Sequence, residues 1–419
     1  MTISRRHLLG SSTALAGGIA ATALGISAVR AQQAGDVKLG VLLSFTGGLA
    51  PFSPVLRDAS RLAATQINAM GGMLDGKRLQ LVEADDQTNP QAAVTAASRL
   101  VDVENVAALV GPLSSSAVLA AAGAVAIPRR IVMISPSATN PSISDLQDSD
   151  YVFRTAVPDS LQGQVLAREV RRRNLSRVAA LAVNNAYGTG LLEVFRAQFQ
   201  AAGGTLTHAA TFEENRPAYR GELATAANGN PEALVLIGFP QSGGVTVLKQ
   251  ALENGFFSKF IFTDGMREAS VAREVGAQNL RDSWGTMPAS TAEGALQNRF
   301  YEAFQRTSQL DPTGAYAAET YDSTMLLALA IQSAGSVDRE KIRDNLRRIA
   351  NASQGAEAIG PGDWGKARDV LGRGGRINYE GASGPCEFDD KGDVVGRIGI
   401  WRFTETAQIV TDRFVGPTD

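Results

Sequence analysis

Cysteine and histidine are almost absent from this chain of 419 residues. It contains one cysteine, Cys386, and two histidines, His7 and His208. A single cysteine excludes an internal disulfide bond, and nothing in the sequence has the ligand spacing of a zinc site. A Ser-His-Asp triad would need His208, which lies in the edge-strand pattern GGTLTHAATF, and no G-x-S-x-G motif is present. These absences argue against a secreted hydrolase, and we expect no enzymatic activity, no cofactor and no metal.

An excess of positive charge is also lacking. The formal net charge is −2, from 40 Lys and Arg against 42 Asp and Glu. This balance gives no electrostatic reason to expect nucleic acid or an anionic membrane as a partner.

The length is typical of a chain that divides into two domains.

The first 31 residues resemble a signal peptide. Arg5 and Arg6 precede an apolar segment rich in Ala and Gly, which ends in a small-x-small motif at Ala31. The paired arginines favour the twin-arginine export route, cleavage near Ala31 and a periplasmic location. The alternative, an N-terminal membrane helix, is disfavoured by the glycines in the apolar segment and by the lack of a following basic cluster. The expected new N-terminus is Gln32, not cysteine, so we expect no lipid anchor.

From Val37 onward, strand-like and helix-like segments alternate. The predicted strands are VKLGVLL, RLQLVEA, VAALV and IVMI, and the predicted helices between them are PVLRDASRLAATQINAM, PQAAVTAASRLVDVE and SSSAVLAAAGAVA. The first helix is expected to have Ser53 as its N-cap and Pro54 as its first residue. This alternation predicts a parallel sheet that helices cover on both faces.

The same alternation restarts after VFRTAV. The second series includes DSLQGQVLAREVRRR, RVAALAV, GTGLLEVFRAQFQAAG, TLTHAATF, EALVLIG and KFIFTD. Two similar series predict two domains of one α/β architecture. Three long helices follow, AEGALQNRFYEAFQRTSQ, AYAAETYDSTMLLALAIQSAG and REKIRDNLRRIA, and we expect them to cover the sheet of the first domain.

Three short motifs resemble known sites but lack essential features. GGMLDGKR at 71–78 has no Ser or Thr after the lysine and follows a helix, so it is predicted to be a turn and not a phosphate-binding loop. DDKGD at 389–393 lacks the spacing of a calcium loop and predicts a hairpin turn. YGTGLL at 187–192 lacks the third glycine of a dinucleotide-binding motif.

Two loops rich in hydroxyl groups follow neighbouring predicted strands. GPLSSSA at 111–117 follows VAALV, and ISPSATNP at 134–141 follows IVMI. In an open parallel sheet, ligands bind at the carboxyl ends of the strands, where backbone N–H groups and hydroxyls favour an anion. The alternative is that these serines only cap helices.

The second series offers complementary groups. Asp264 ends the strand FIF directly before Gly265, and NAYG at 184–187 ends another strand with an aromatic residue, Tyr187. Asp264 could hold an ammonium group, although a turn aspartate is an equally common role. Together with the hydroxyl loops, these residues would suit a small zwitterion held between two domains.

The ordered set of these motifs resembles the type I periplasmic solute-binding proteins of ABC importers, the class that includes leucine/isoleucine/valine-binding proteins. The resemblance extends from VKLGVLLSFTGGLAPFS, through INAMGGMLDGKRLQLVEADDQTNP, GPLSSSA, ISPSATNP, YGTGLL and TDG, to ASGPCEFDDKGDV. It implies two Rossmann-like doubly wound domains joined by three crossover hinge segments, near 156–160, 286–290 and within 380–396. It further implies an N-terminal lobe of residues 36–157 and 288–385 and a C-terminal lobe of residues 158–287 and 386–419.

The resemblance also implies a binding site and partners. The implied ligand-binding residues are Phe52, Ser115, Ser137, Ala138, Thr139, Tyr187, Asp264 and Gly265. Ser115 and Thr139, with the backbone at Ser137 and Ala138, would hold a carboxylate. Asp264, with Gly265 beside it, would receive an ammonium group, and Phe52 and Tyr187 would form aromatic walls. The implied partners are a small amino acid, a membrane permease and an ATPase, and the protein is expected to be a monomer.

Two positions depart from the family pattern. The family often has glutamate where this chain has Asp264, and an aromatic residue where it has Pro240, so the side-chain pocket is expected to differ. Two alternatives therefore remain open at this point: a binder of a carboxylate without an amine or of an amide, and a sensory protein that reports a bound ligand to a receptor.

Overall fold

The computed structural model describes residues 35–289, 294–351 and 354–417. The predicted signal peptide lies outside this range. In the described part, the strands are β1 (Val37–Leu43), β2 (Leu79–Asp85), β3 (Leu109–Val110), β4 (Met133–Ser135), β5 (Val152–Arg154), β6 (Arg177–Val183), β7 (Thr205–Phe212), β8 (Leu234–Ile237), β9 (Phe260–Phe262), β10 (Trp284–Ala289), β11 (Glu357–Ile359), β12 (Ile377–Tyr379), β13 (Arg397–Phe403) and β14 (Ile409–Val415).

The α-helices of the same residues alternate with these strands in the first two thirds of the chain. They are α1 (Ser53–Ala69), α2 (Pro90–Ser98), α3 (Ser115–Ala121), α4 (Asp159–Arg172), α5 (Ala186–Ala201), α6 (Arg220–Ala226), α7 (Val245–Glu253), α8 (Ala269–Val275), α9 (Ala295–Gln305), α10 (Ala317–Ala334), α11 (Arg339–Ala350) and α12 (Trp364–Gly372).

The first five strands form one parallel sheet in the order β2-β1-β3-β4-β5. Its side chains alternate between two apolar cores, since Val41 and Leu43 belong to one core and Leu42 to the other. Helices α2 and α3 pack against one another beside the Leu42 core, while α1 packs along β1 and α10. Both faces are therefore covered, as the uninterrupted apolar strands predict.

The second sheet repeats this order and then extends it. Strands β7-β6-β8-β9-β10 are parallel, and β13 and β14 add two antiparallel strands beside β10. The sequence-based expectation of two similar α/β series is confirmed. The antiparallel extension by β14, the short parallel pair of β11 with β12, and helices α8 and α12 had not been predicted.

The three long C-terminal helices are confirmed as α9, α10 and α11. Helix α10 packs along α1 and contacts β3 and β4, so it covers the first sheet as expected. Every residue from Ala317 to Ile331 is buried, because α10 lies between α1, α11 and the sheet. The chain thus returns to the first sheet after it has built five strands of the second.

One local prediction is wrong and two are confirmed. Ser53 is the first helical residue of α1 and not its N-cap, because its hydroxyl donates to the Ser44 carbonyl at 2.6 Å instead of accepting from the helix. Residues 71–78 form a turn in which Met73 pairs with Lys77. Residues 389–393 form a turn between the paired residues Phe388 and Val394.

No described helix is long and apolar enough to cross a membrane. No group of three or more His, Cys, Asp or Glu side chains among the described residues is arranged to hold a metal ion. Cys386 is a buried free thiol.

A buried ion pair connects two segments that are far apart in the sequence. The Arg154 guanidinium, at the end of β5, bonds to both carboxylate oxygens of Asp393 in the 389–393 turn. It also donates to the carbonyls of Ala138 and Asn140, at 3.3 and 2.9 Å. Arg154 therefore fixes the backbone of the ISPSATNP loop through two of its carbonyl groups.

Removing the negative charge of this pair should destabilise the protein strongly. In Asp393→Asn the Arg154 charge stays buried without its partner, and we expect the free energy of unfolding to fall by about 3 kcal/mol. Urea unfolding of wild-type and variant protein measures the difference.

Glu340→Gln is the matched control, because it removes one carboxylate from the solvent-exposed pair with Arg130. Solvent screens that pair, so we expect little change. Equal effects of the two substitutions would contradict the anchoring role of Arg154.

Candidate functional site

A small pocket lies between the loops of the first sheet and those of the second. It has a volume of about 20 Å³, enough for about one water molecule. Its walls carry apolar side chains together with hydroxyl, phenol and carboxyl groups; the lining residues are Leu49, Phe52, Leu56, Leu113, Ser114, Ser115, Ser137, Tyr187, Phe239, Asp264, Gly265 and Tyr316.

Six of the eight residues predicted to bind ligand line this pocket: Phe52, Ser115, Ser137, Tyr187, Asp264 and Gly265. The other two, Ala138 and Thr139, are buried directly after Ser137 in the same loop. The structure therefore brings the predicted residues of both series to one place. Their role in binding stays a prediction.

The two hydroxyl loops are joined to each other by hydrogen bonds. The Ser137 hydroxyl donates to the Leu113 carbonyl at 3.0 Å, and the Asn140 N–H donates to the Ser115 hydroxyl oxygen at 3.2 Å. Ser114 caps α3 by accepting from the Ala117 N–H at 3.2 Å. Because Ser115 acts here as an acceptor, its own hydroxyl proton remains available to a ligand in the pocket.

The backbone of the ISPSATNP loop is oriented by Arg154. The Ala138 carbonyl points toward the guanidinium, and in a trans peptide the following N–H points the opposite way. The Thr139 N–H is therefore directed away from Arg154, and no described residue accepts a hydrogen bond from it. A donor in this position suits an anionic group.

Asp264 lies in a short 3-10 turn directly after β9 and accepts three hydrogen bonds from uncharged donors. Gln162 Nε2 and the Tyr187 hydroxyl donate to Oδ1, each at 2.8 Å, and the Tyr316 hydroxyl donates to Oδ2 at 2.7 Å. Burial raises the pKa of Asp264, while the three donors oppose that rise. No arginine or lysine of the described residues forms an ion pair with it.

Tyr187 is held in place by the residues on either side of Asp264. The Tyr187 proton goes to Asp264, so the Thr263 hydroxyl, 2.7 Å away, is the donor in its bond to Tyr187. The Gly265 N–H also donates to the Tyr187 oxygen at 3.2 Å. The Tyr187 ring stacks on Phe239, with centroids 5.1 Å apart. The ring and its hydroxyl are thus both fixed before any ligand arrives.

A second buried carboxyl group stands beside this cluster. Asp159, the first residue of α4, accepts from the Thr139 hydroxyl at 2.8 Å through Oδ2. Its Oδ1 and the Gln162 Oε1 are buried and accept no hydrogen bond from the described residues. Burial, followed by the charge of Asp264, raises the pKa of Asp159 well above its ordinary value. The cluster has an excess of acceptors, which favours a proton or a cationic group.

Residues of this site that sequence reasoning missed include Asp159, Gln162, Phe239 and Tyr316. Asp159 and Gln162 fit the ordinary pattern of a helix start, and Phe239 precedes the Pro240 that was singled out. Tyr316 has a left-handed backbone, with φ 64° and ψ 12°, directly before α10. Such a conformation is unfavourable for a bulky residue and is found where surrounding structure enforces it. Nothing in the sequence around a bulky aromatic residue predicts a left-handed backbone at that position.

Comparison with known proteins identifies relatives along most of the chain. The sequence profile of the family described as "Periplasmic binding protein" matches residues 36–373. A leucine-specific-binding protein of Salmonella typhimurium is 27% identical over 354 residues, which cover 83% of this chain and 92% of that protein.

Two solved structures have a similar fold. A leucine-binding protein from Thermotoga maritima superimposes with a TM-score of 0.77 at 24% identity, covering 91% of this chain and 99% of that one. A solute-binding protein of an ABC transporter from R. palustris, in complex with benzoate, superimposes with a TM-score of 0.74 at 18% identity, covering 91% and 97%.

The raised pKa of Asp159 predicts a pH-dependent effect of Asp159→Asn. A carboxyl whose pKa is higher in the folded than in the unfolded state stabilises the protein at low pH, and this contribution is lost as pH rises above its ordinary value of 3.8. The asparagine cannot ionise, and its amide replaces the unpartnered Asp159 oxygen with a donor beside the remaining unpartnered acceptor, Gln162 Oε1. We therefore expect the variant to gain stability over the wild-type protein as pH rises from about 4 to 8.

Urea unfolding of the ligand-free proteins across this pH range measures the gain. Asp282→Asn removes an exposed carboxyl and serves as the control. A stability difference between variant and wild type that does not change with pH would contradict the burial of an ionisable Asp159.

Proposed function

The chain belongs to the periplasmic binding protein family, and on that premise we propose that it is the solute-binding component of an ABC importer. It captures a small amino acid in the periplasm and presents it to a membrane permease, which an ATPase drives. It binds its ligand without chemical change. The leucine-specific-binding protein among its relatives supports an amino acid as the ligand class.

The observation that carries this proposal is the opposition of two unlike walls in one pocket. On one wall, the Ser115 hydroxyl and the Thr139 N–H offer donors to a carboxylate, whereas the Ala138 N–H already donates to the Ser135 hydroxyl at 3.1 Å. On the other, Asp264 offers a carboxylate that no cationic side chain neutralises among the described residues. An α-amino acid carries one group for each wall. In a water-excluded pocket, such charge-assisted bonds are strong.

Capture requires the walls to separate, because the pocket volume of about 20 Å³ is too small for an amino acid. Hydrogen bonds that cross between the walls include Ala186 N–H to the Ser116 hydroxyl at 3.0 Å, the Asn140 amide to the Ala186 carbonyl, and Tyr316 to Asp264. We propose that these contacts break when two lobes open and re-form around the ligand. The lobes have the boundaries predicted from the sequence, 36–157 with 288–385, and 158–287 with 386–419.

The extent of the hydrogen bonding at Asp264 favours a second candidate, a carboxylate without an amine. Tyr187, Tyr316 and Gln162 already provide three donors to this acid, so Asp264 could serve only to orient the two phenol groups. The hydroxyl wall would still hold the carboxylate, and Phe52 and Phe239 would pack against an apolar or aromatic body. The similar fold that binds benzoate supports this alternative.

Replacement of Asp264 distinguishes the two candidates. In Asp264→Asn the charge is lost while the size is kept, so an ammonium group loses its buried partner, and affinity for an α-amino acid should fall at least about tenfold. Isothermal titration calorimetry of refolded, ligand-free protein measures the change.

The deaminated analogue of the same amino acid is the matched ligand control, and its affinity should change little. Unchanged binding of the amino acid to the variant would contradict the ammonium role and support the second candidate. Phe52→Leu is the matched variant control, because it alters the apolar wall and leaves every charge in place.

A further inference from the structure

A second and larger cavity lies beside the proposed binding pocket. Its volume is about 290 Å³, and Tyr316 separates the two spaces because it lines both. The second cavity has apolar walls, including Met287, Ile409 and Phe414, and a polar side that includes Arg267, Tyr301 and Glu319. Apart from Tyr316, these residues have no part in the proposed amino-acid site.

Arg267 is a buried cation without an ion-pair partner among the described residues. Its side chain is 8% exposed, and its one hydrogen bond joins Nη1 to the Thr313 carbonyl at 3.2 Å. Its Nε–H finds no acceptor. The nearest acidic groups are Asp311, whose Oδ1 accepts from Thr313, and Glu319. Burial of an unpaired guanidinium is costly, which is reflected in the lowered pKa of Arg267.

Glu319 does not neutralise Arg267 near pH 7. Its side chain is buried on α10, and burial raises its pKa to about 8, so the carboxyl is mostly protonated at neutral pH. Burial also raises the pKa of Tyr301 to about 12, so its phenol keeps its proton. Asp311 does not line the cavity, so the polar side presents one positive charge, that of Arg267, and neutral groups that can donate hydrogen bonds.

From these features we propose that the second cavity binds a small organic carboxylate, which pairs with Arg267 while its apolar part packs against Met287 and Phe414. The planar guanidinium has free N–H groups for a two-bond contact with a carboxylate. The cavity volume approaches that of small-molecule sites, and its apolar walls with one charged anchor have their usual character.

The position of the cavity couples this ligand to the main pocket. Arg267, Met287 and Phe414 belong to the second sheet or its turns, whereas Tyr301 and Glu319 lie on α9 and α10, which pack with α1 beside the first sheet. A bound carboxylate therefore bridges the two walls. The backbone N–H of Arg267 also donates to the backbone carbonyl of Asp264 at 2.9 Å. This bond lies within the turn that carries Asp264, the acid of the main pocket.

Benzoate binding to the refolded, full-length exported protein tests the proposal by calorimetry at pH 7. We expect wild-type protein to bind benzoate, Arg267→Gln to weaken binding at least tenfold, and Arg267→Lys to weaken it less because the charge remains. Arg281→Gln, an exposed arginine outside every described pocket, is the matched control and should bind as the wild type does.

Two further variants separate the cavity from the main pocket. Met287→Trp should fill the cavity and prevent benzoate binding without a change of charge, which keeps the test valid if Arg267→Gln does not fold. Ser115→Ala changes the main pocket only, so the benzoate binding that depends on Arg267 and Met287 should persist in it. Dependence on Ser115 but not on Arg267 or Met287 would place benzoate in the main pocket and overturn the proposal, as would an absence of binding to wild-type protein.

The pH dependence of binding provides an independent readout. As pH rises through about 8, Glu319 ionises and competes with benzoate for Arg267, so affinity should fall; in Glu319→Gln this fall should disappear. The other titratable groups facing Glu319 are Asp322 on its own helix, Tyr301 on α9 and the buried thiol of Cys386. An identical pH profile in both proteins would contradict the role of Glu319.

Discussion

Two carboxyl groups, Asp159 and Asp264, are buried between the sheets without an ion-pair partner among the described residues, and the arrangement of the site follows from that constraint. A buried carboxylate needs donors, and Asp264 obtains them from Gln162, Tyr187 and Tyr316. Tyr316 reaches it only from a left-handed backbone at the start of α10. Tyr316 directly precedes α10, which packs on the first sheet, and Asp264 follows β9 of the second sheet. Their hydrogen bond therefore also connects the two parts of the protein. The unfavourable burial becomes favourable when a ligand brings a positive charge.

The opposite wall, formed by Ser115 and the ISPSATNP loop, presents hydrogen-bond donors that carry no charge. Arg154 lies too far behind the loop to meet the ligand, but it engages the loop carbonyls and so turns a peptide N–H away from itself. Asp393 balances its charge from a turn near the C-terminal end. A neutral, pre-oriented donor set binds a carboxylate with little reorganisation. In the proposed function the same wall would serve an amino acid and a simple carboxylate, so the wall with Asp264 would decide between them.

Sequence patterns predicted much of this fold because its signals are local. Apolar runs of strand length, alternating with amphipathic segments, predicted both α/β series, and the hydroxyl loops and Asp264 were recognised at strand ends. The missed features depend on contacts between distant residues. Arg154 and Asp393 are 239 positions apart, and Tyr316 meets Asp264 across 52. The cavity at Arg267 is likewise lined by residues from several separate segments, so no single stretch of sequence predicts it.

The central claim is that a zwitterion bridges the two walls, and a thermal-shift screen tests it most directly. The protein, unfolded and refolded to remove bound solute, would be heated with α-amino acids and with the deaminated analogue of each. A ligand at 100 times its dissociation constant adds about 2.7 kcal/mol of stability, which raises the midpoint by several degrees. We predict a shift with at least one amino acid and a much smaller shift with its analogue. Equal shifts for both, or shifts with the carboxylates alone, would contradict the claim.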